Sequence, residues 1–196
     1  MSRGNTLHRL ARGTYSTSGE RLDYTYFDTL PLTAAAVDYP FFQTQLGAGG
    51  KTLADTNMIS AGSLPQGQKF RIKTISIEYL SVAVKASADI QLLYNFLQKA
   101  VVRFFIAGKD ALYSKPLTRI MGFSTLFHVT PTVAGNNESL MSMGRHLGID
   151  PLNKHITLAA LTNFEVRLSI PAALGAISLV NDRVRINLNG ILVRAS

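Results

Sequence analysis

The amino-acid sequence predicts an all-β sandwich or barrel. Phe164, Val166, Leu168 and Ile170 alternate with Glu165, Arg167 and Ser169, and the stretch Val184-Arg185-Ile186-Asn187-Leu188-Asn189 repeats the pattern. Successive strand side chains point to opposite faces, so apolar residues at every second position send one row into a core and the other toward water or a partner. Turn signals such as Ala107-Gly108-Lys109-Asp110 and Ala134-Gly135-Asn136-Asn137 punctuate further apolar runs, the spacing expected of antiparallel strands.

The elements follow in order. Residues 1–23 read as a basic N-terminal arm: Arg3, Arg9, Arg12 and Arg21 stand among Gly4, Gly13, Ser16, Ser18 and Gly19 with little apolar surface to offset ordering entropy. Within it Leu7, Leu10 and Ala11 have the spacing of one helical turn. Residues 24–196 form the β-sandwich domain. From Tyr24 to Gln45 the chain is apolar but irregular, and Pro31 and Pro40 exclude a long helix there and favour strand edges. From Lys69, Phe70 and Ile72 oppose Lys69, Arg71 and Lys73, then the phase shifts so that Ile75, Ile77 and Tyr79 share a face. A β-bulge near Thr74 accounts for the shift, because one extra residue flips the pattern. Ile90, Leu93, Tyr94 and Leu97 predict a short helix, which Ser87 or Asp89 can cap. Further strands are expected at 101–106, 126–129, 156–161 and 176–180, about eight in all with one or two short helices.

The chain has 196 residues, enough to bury a sizeable core without a disulfide or metal. It has no cysteine, which removes thiolate zinc sites and cysteine nucleophiles and fits a reducing compartment. No apolar run approaches the ~20 residues of a membrane-spanning helix, so no transmembrane segment is expected. The start, MSRGNTLHRLARG, has no apolar signal core, and synthesis and residence in the cytoplasm follow as an expectation. The net charge is +8, which makes polyanions plausible partners, although the same charge also serves solubility.

Motifs for chemistry are weak. Gly50-Lys51-Thr52 imitates the end of a phosphate-binding loop, but Gln45 occupies the position of its first glycine, and a plain loop is the better reading. Gly122-Phe123-Ser124-Thr125-Leu126 begins like a nucleophile elbow but has Leu126 in place of the final glycine. His146, Asp150 and His155 offer ligand chemistry without the spacing of a known metal motif. No catalytic, cofactor-binding or metal-binding residue is therefore assigned, and no enzyme activity is expected.

The cations are better organised. Lys69, Arg71 and Lys73 share one face of a predicted strand, and Arg183 and Arg185 repeat the arrangement. Such stripes suit phosphates as salt-sensitive point contacts, or serve as solvated strand faces that discourage aggregation.

The segments Leu64-Pro65-Gln66-Gly67-Gln68-Lys69-Phe70-Arg71-Ile72, Gly108-Lys109-Asp110-Ala111-Leu112-Tyr113-Ser114-Lys115-Pro116-Leu117 and Val184 to Arg194 carry a resemblance. Over residues 25 to 194 the chain resembles jelly-roll capsid proteins of small tailless icosahedral viruses, particularly those of bacteria. The resemblance implies a single jelly-roll β-sandwich whose copies assemble into a closed shell around a nucleic acid genome, in company with other virion proteins. It implies residence in the virion after synthesis in the host cytoplasm. It makes Tyr39, Phe41 and Phe42 candidate inter-subunit anchors, with ordinary core as the competing role, and it gives Arg3, Arg9, Arg12 and Arg21 the character of an arm that contacts the genome or a neighbouring subunit. Two other function classes remain: a non-viral β-sandwich or barrel nucleic-acid-binding module, and an enzyme on a cupin-like jelly roll, which the missing ligand spacing disfavours.

Overall fold

The structure, a computed structural model, describes residues 19–33, 36–80, 96, 98–121, 123–128, 139–143, 149–170 and 182–195. Its strands are β1 (Gly19–Pro31), β2 (Asp38–Phe41), β3 (Gln68–Leu80), β4 (Val101–Ile106), β5 (Lys109–Pro116), β6 (Phe123–His128), β7 (Ser139–Met143), β8 (Ile149–Leu158), β9 (Phe164–Ser169) and β10 (Arg183–Ala195), with a short helix, α1 (Leu117–Met121), and helical residues at 96, 98 and 99. One four-stranded sheet has the order β1-β10-β3-β8 and a second the order β2-β9-β4-β5, while β6 and β7 pair with each other. Every pairing between these strands is antiparallel. The pairs nest: β1 with β10, β2 with β9, β3 with β8, and β4 with β5 innermost.

The two sheets share one core. Tyr26, Phe70, Ile72, Ile75, Ile77, Val184, Ile186, Leu188 and Leu192 from the first join Tyr39, Phe41, Val102, Phe104, Phe164, Val166 and Leu168 from the second in a single buried cluster. Burying each such aliphatic or aromatic side chain contributes about 1.5–3 kcal/mol relative to leaving it exposed. Tyr26 meets Phe70 edge to face at 5.0 Å, and Phe104 stacks on Phe164 at 6.0 Å, geometries that add to area burial. Beneath this aromatic layer the Tyr26 hydroxyl donates to Gln68 Oε1 at 3.0 Å.

The alternation in the last third forms β9 and β10, with Phe164, Val166 and Leu168 inward. The expected strand at 101–106 is β4. Ala107 and Gly108 both take positive φ, 51° and 69°, between the paired residues Ile106 and Lys109. That is the two-residue turn whose twist matches a hairpin. The expected bulge is Lys73: Asn189 lies opposite Thr74 but Gly190 opposite Ile72. Gly190 is required there, since a Cβ would stand 2.0 Å from the Arg71 carbonyl oxygen.

Within the two four-stranded sheets, proline is confined to the edge strands. Pro31, Pro40, Pro116 and Pro151 fall in β1, β2, β5 and β8, the four outer strands of the two sheets, and the central strands β10, β3, β9 and β4 contain none. A proline lacks the N–H that a central strand must donate on one of its two sides, whereas an edge strand has a side to spare.

Several expectations change. Tyr39, Phe41 and Phe42 are 4%, 0% and 0% exposed and belong to the chain's own core, so they are corrected from inter-subunit anchors; β2 presents alternate residues inward beside β9, and the Tyr39 hydroxyl donates to the Thr33 carbonyl at 3.0 Å. Residues 19–23, expected to belong to the N-terminal arm, instead open β1 and pair with β10. The strand expected at 156–161 ends at Leu158; Leu161 takes φ 58° in a turn and is 67% exposed. Of the helix expected at 90–97 only Phe96 is described: it is helical and buried, and Ala100 N–H donates to its carbonyl at 2.9 Å. Residues 129, 134–137 and 176–180 lie outside the described residues, as do 1–18.

Two stability experiments follow. Gly190→Ala should lower stability by about 3 kcal/mol or more, a shift of roughly 6–12 °C in Tm for a domain of this size. A thermal melt within 1 °C of wild type would show that β3 can yield at Arg71. Burial, aided by neighbouring Tyr24, raises the Tyr26 pKa to about 12 from the ordinary 10.0. A raised folded-state pKa means stability that is complete below pH 10 and lost as pH rises toward 12. Tyr26→Phe should therefore flatten the alkaline loss of Tm over that window, and an unchanged alkaline profile would remove Tyr26 as its cause.

Candidate interaction surface

The outward face of the first sheet carries most of the cations singled out in the sequence. Register rows run across it: Arg21, Val193 and Lys69 in one, Asp23, Ile191 and Arg71 in the next, then Thr25, Asn189 and Thr74, Phe27, Asn187 and Ser76, and Thr29, Arg185 and Glu78. Inward neighbours such as Phe70, Ile72 and Ile186 are fully buried, which fixes the outward direction of these residues.

The two ends of this face differ. At the Arg185 end every cation is held. Arg185 Nη1 lies 3.6 Å from Glu78 Oε2, its Nε donates to Thr29 Oγ1 at 3.0 Å and its Nη2 to the Ala54 carbonyl at 2.7 Å, and its guanidinium sits 5.2 Å from the centre of the Phe27 ring. Arg183 Nη1 donates to Asp55 Oδ1 at 2.8 Å. Asp55 is kept ionised by the Thr52 N–H and hydroxyl, with Arg183 adding to the effect, so its pKa is lowered. A belt of amides and hydroxyls crosses the middle: Asn187 donates to Glu78 at 2.8 Å and to Ser76 at 3.3 Å, and Thr25 donates to Asn189 at 2.8 Å.

At the other end Lys69 and Arg71 are exposed and have no ion-pair partner among the described residues. Lys73, on the bulge, reaches Asp23 at 3.5 Å, a loose contact in which the aspartate is 90% exposed. Beside it an open depression of about 370 Å³ is lined by Asp23, Tyr24, Thr25, Lys73, Thr74, Asn189 and Gly190. Arg21 is exposed in the same face. Arg3, Arg9 and Arg12 lie outside the described residues. The structure thus separates two stripes that the sequence rendered alike.

Asp28 is the residue that sequence reasoning missed. It faces inward between Tyr26 and Leu30, where the strand period calls for an apolar side chain, and it is fully buried. Its Oδ2 accepts the Phe42 N–H at 2.6 Å, and Lys51 Nζ is bonded to its Oδ1 and to the Thr29 carbonyl, the latter at 3.2 Å. Lys51 is the lysine of Gly50-Lys51-Thr52, so the loop that imitates a phosphate cradle sends its cation into the protein's own carboxylate. Burial raises the Asp28 pKa above the ordinary carboxylate value, outweighing the opposing effects of Lys51, the Phe42 N–H and Thr56. Its only sequence signal is a charge breaking an apolar alternation, Tyr24-Tyr26-Asp28-Leu30.

The outward face of the second sheet holds cations that the stripe argument passed over. Arg103 and Arg167 lie directly opposite each other on β4 and β9. Arg167 is committed to Glu165 at 2.7 Å and lies 5.1 Å from the Phe105 ring centre, and this carboxylate raises its pKa. An open groove of about 530 Å³ beside this pair is lined by Gln43, Gly62, Phe105, Asn163, Glu165 and Arg167 among others.

Ser124 lies within strand β6 and not at a strand-to-helix turn. His155 is exposed on β8, Asp150 lies on the same strand opposite Ile75, and His146 is outside the described residues. Among the described residues no three His, Asp or Glu side chains gather as metal ligands, and no helix is long and apolar enough to cross a membrane. No protein-family model and no curated protein sequence matches this chain.

Removing the Asp28 carboxylate should be costly. Asp28→Ala leaves Lys51 without its partner and the Phe42 N–H without an acceptor, and should lose about 3–5 kcal/mol at neutral pH. Because the folded-state pKa is raised, the titration contribution of Asp28 is complete below pH 3.8 and declines as pH rises through the folded value. The urea-unfolding penalty of Asp28→Ala should therefore be larger in acid than at neutrality. A penalty that grows from acid toward neutrality would mean that the ion pair outweighs the desolvation.

Proposed function

We propose that this chain is a structural shell subunit of jelly-roll type, which self-assembles into a closed icosahedral particle around a nucleic acid genome. The observation that carries the reading is the nested strand pairing. With β6–β7 taken as a hairpin inserted between β5 and β8, the eight remaining strands follow the jelly-roll order, a doubled-over antiparallel ribbon wrapped into two sheets. Fold alone does not give function; the resemblance of residues 25 to 194 to capsid proteins of small tailless viruses, together with the run of arginines at 3, 9 and 12, directs the fold toward a virion shell.

Two surface features support assembly through loops and faces. Leu53, Ile59 and Leu161 are 70%, 67% and 67% exposed, on the 43–64 segment and the β8–β9 turn. Leu161 N–H donates to the Leu64 carbonyl at 3.0 Å and Phe164 N–H to the Gly62 carbonyl at 2.7 Å, so the backbones that carry these residues are joined. Exposed apolar residues on fixed loops suit contacts between copies. The edge prolines work in the same direction, since they discourage open-ended strand addition, which builds fibres, and leave closed symmetric contacts. Residence in the virion, after synthesis in the host cytoplasm, and contact with other virion proteins belong to this reading. The exposed Lys69 and Arg71 favour a second reading, a non-viral nucleic-acid-binding module of one or two copies.

Electron microscopy with mass determination, in low and high salt and with nuclease, separates the two. The shell reading expects closed particles of uniform diameter that shield nucleic acid. A monodisperse monomer or dimer under every condition, including added nucleic acid, would end it and leave the binding module.

A further inference from the structure

We propose that the Lys69–Arg71 end of the first sheet's outward face is a contact site for single-stranded nucleic acid, and that the Arg183–Arg185 end of the same face is not. The inference rests on the nucleic-acid-enclosing reading for the source of its ligand, and its chemistry comes from the surface itself.

The site is a shallow cationic cradle. Arg21 and Lys69 stand opposite the same residue, Val193, on the two strands that flank β10, which separates their Cα positions by about 10 Å. Lys69 and Arg71 are successive outward positions on β3, about 7 Å apart along the strand, close to the interval between successive phosphates in an extended single strand. Val193 and Ile191, both half-buried, make an aliphatic floor between the cations. Lys73 continues the line, and the depression beside it offers the Thr25 and Thr74 hydroxyls and the Asn189 amide. The two rows at this end, with the bulged Lys73, hold four cations against one carboxylate, Asp23, on the outward face. At the opposite end Arg183 and Arg185 contact Asp55 and Glu78, which cancels their field and occupies their donors.

The strand that carries the site is rigid. β3 is paired on both sides, and a bulge sits within the site, a device that re-aims side chains. The floor between the cations is aliphatic, and the one aromatic residue beside it is Tyr24 in the depression, so binding should be governed by phosphate contacts, weakly dependent on sequence and steep in salt. Salt sensitivity is thus the signature of this cradle.

The test is fluorescence anisotropy of a labelled oligothymidylate with the full chain, between about 50 and 200 mM salt. Lys69→Ala/Arg71→Ala is compared with Arg183→Ala/Arg185→Ala, which removes the same charge, and melting curves establish that both are folded. Two lost single-strand phosphate contacts should lower the magnitude of the log–log salt slope by about 1.4, with at least tenfold weaker binding at the lower salt. The Arg183/Arg185 pair should bind within about twofold of wild type. Equal losses in both variants would assign the effect to net charge, and no loss in the Lys69/Arg71 variant would place the contact elsewhere; either result overturns the site. Binding of wild type to phosphatidylserine vesicles but not to the oligonucleotide would also overturn it, in favour of a lipid surface. Particle formation by the Lys69/Arg71 variant, followed by electron microscopy, reports on the shell separately, so failure of the site is distinguishable from failure of the shell.

Discussion

The buried carboxylate of Asp28 organises much of the surface around it. Its two oxygens hold the Phe42 N–H, at the exit of β2, and Lys51, in the middle of the 43–58 segment. With that segment fastened, Asn57 lies along the edge of β1, where its side chain accepts the Phe27 N–H at 2.9 Å and donates to the Thr25 carbonyl at 2.7 Å. Thr56 adds a bond to the Phe27 carbonyl, and Lys51 one to that of Thr29. These are main-chain groups of an edge strand that would otherwise seek another chain. The same segment delivers the Ala54 carbonyl and Asp55 to Arg185 and Arg183. One charge placed against the strand period thus positions a loop, seals the middle of an edge and ties down two arginines.

That chain of contacts explains why equal-looking basic stripes diverge. Charge alternation on β3 and β10 is the same kind of pattern, and each leaves its cations outward. Which cations stay available depends on what long loops bring beside them. Asp55 and Glu78 meet the Arg183–Arg185 end, while Lys69 and Arg71 face solvent on the other side of a belt of asparagines and hydroxyls. A desolvated, multiply bonded arginine such as Arg185 contributes to the fold and has few donors left for a phosphate.

Much of the fold was legible from periodicity. β9 and β10 follow from alternation, β4 from an apolar run bounded by a turn signal, the bulge at Lys73 from a change of phase, and the β4–β5 turn from Ala107-Gly108. β1 was harder to read: Asp28 interrupts its inward row, and Tyr24 to Gln45 consequently reads as an irregular apolar stretch. The aromatic run Tyr39, Phe41, Phe42 was ambiguous for a related reason, since apolar residues near a proline suit an exposed clasp as well as a core strand; pairing of β2 with β9 decides for the core. The surface was less legible than the core. Arg103 and Arg167 are separated by more than sixty positions in sequence, and only the register of β4 on β9 makes them neighbours.

The distribution of proline links the fold to the proposed assembly. The two four-stranded sheets have four edges between them, and each is an opening for uncontrolled strand addition. Here each edge strand contains one proline, and β1 is further covered by Asn57, Thr56 and Lys51. Main-chain pairing offers no side-chain specificity and no natural stopping point, whereas loops joined by fixed backbone bonds present particular side chains at particular angles. A subunit that must close a shell needs the second kind of contact and must suppress the first. The exposed Leu53 and Ile59 of the 43–64 segment and Leu161 of the β8–β9 turn are placed for the second kind, on backbones joined by the Leu161–Leu64 and Phe164–Gly62 hydrogen bonds.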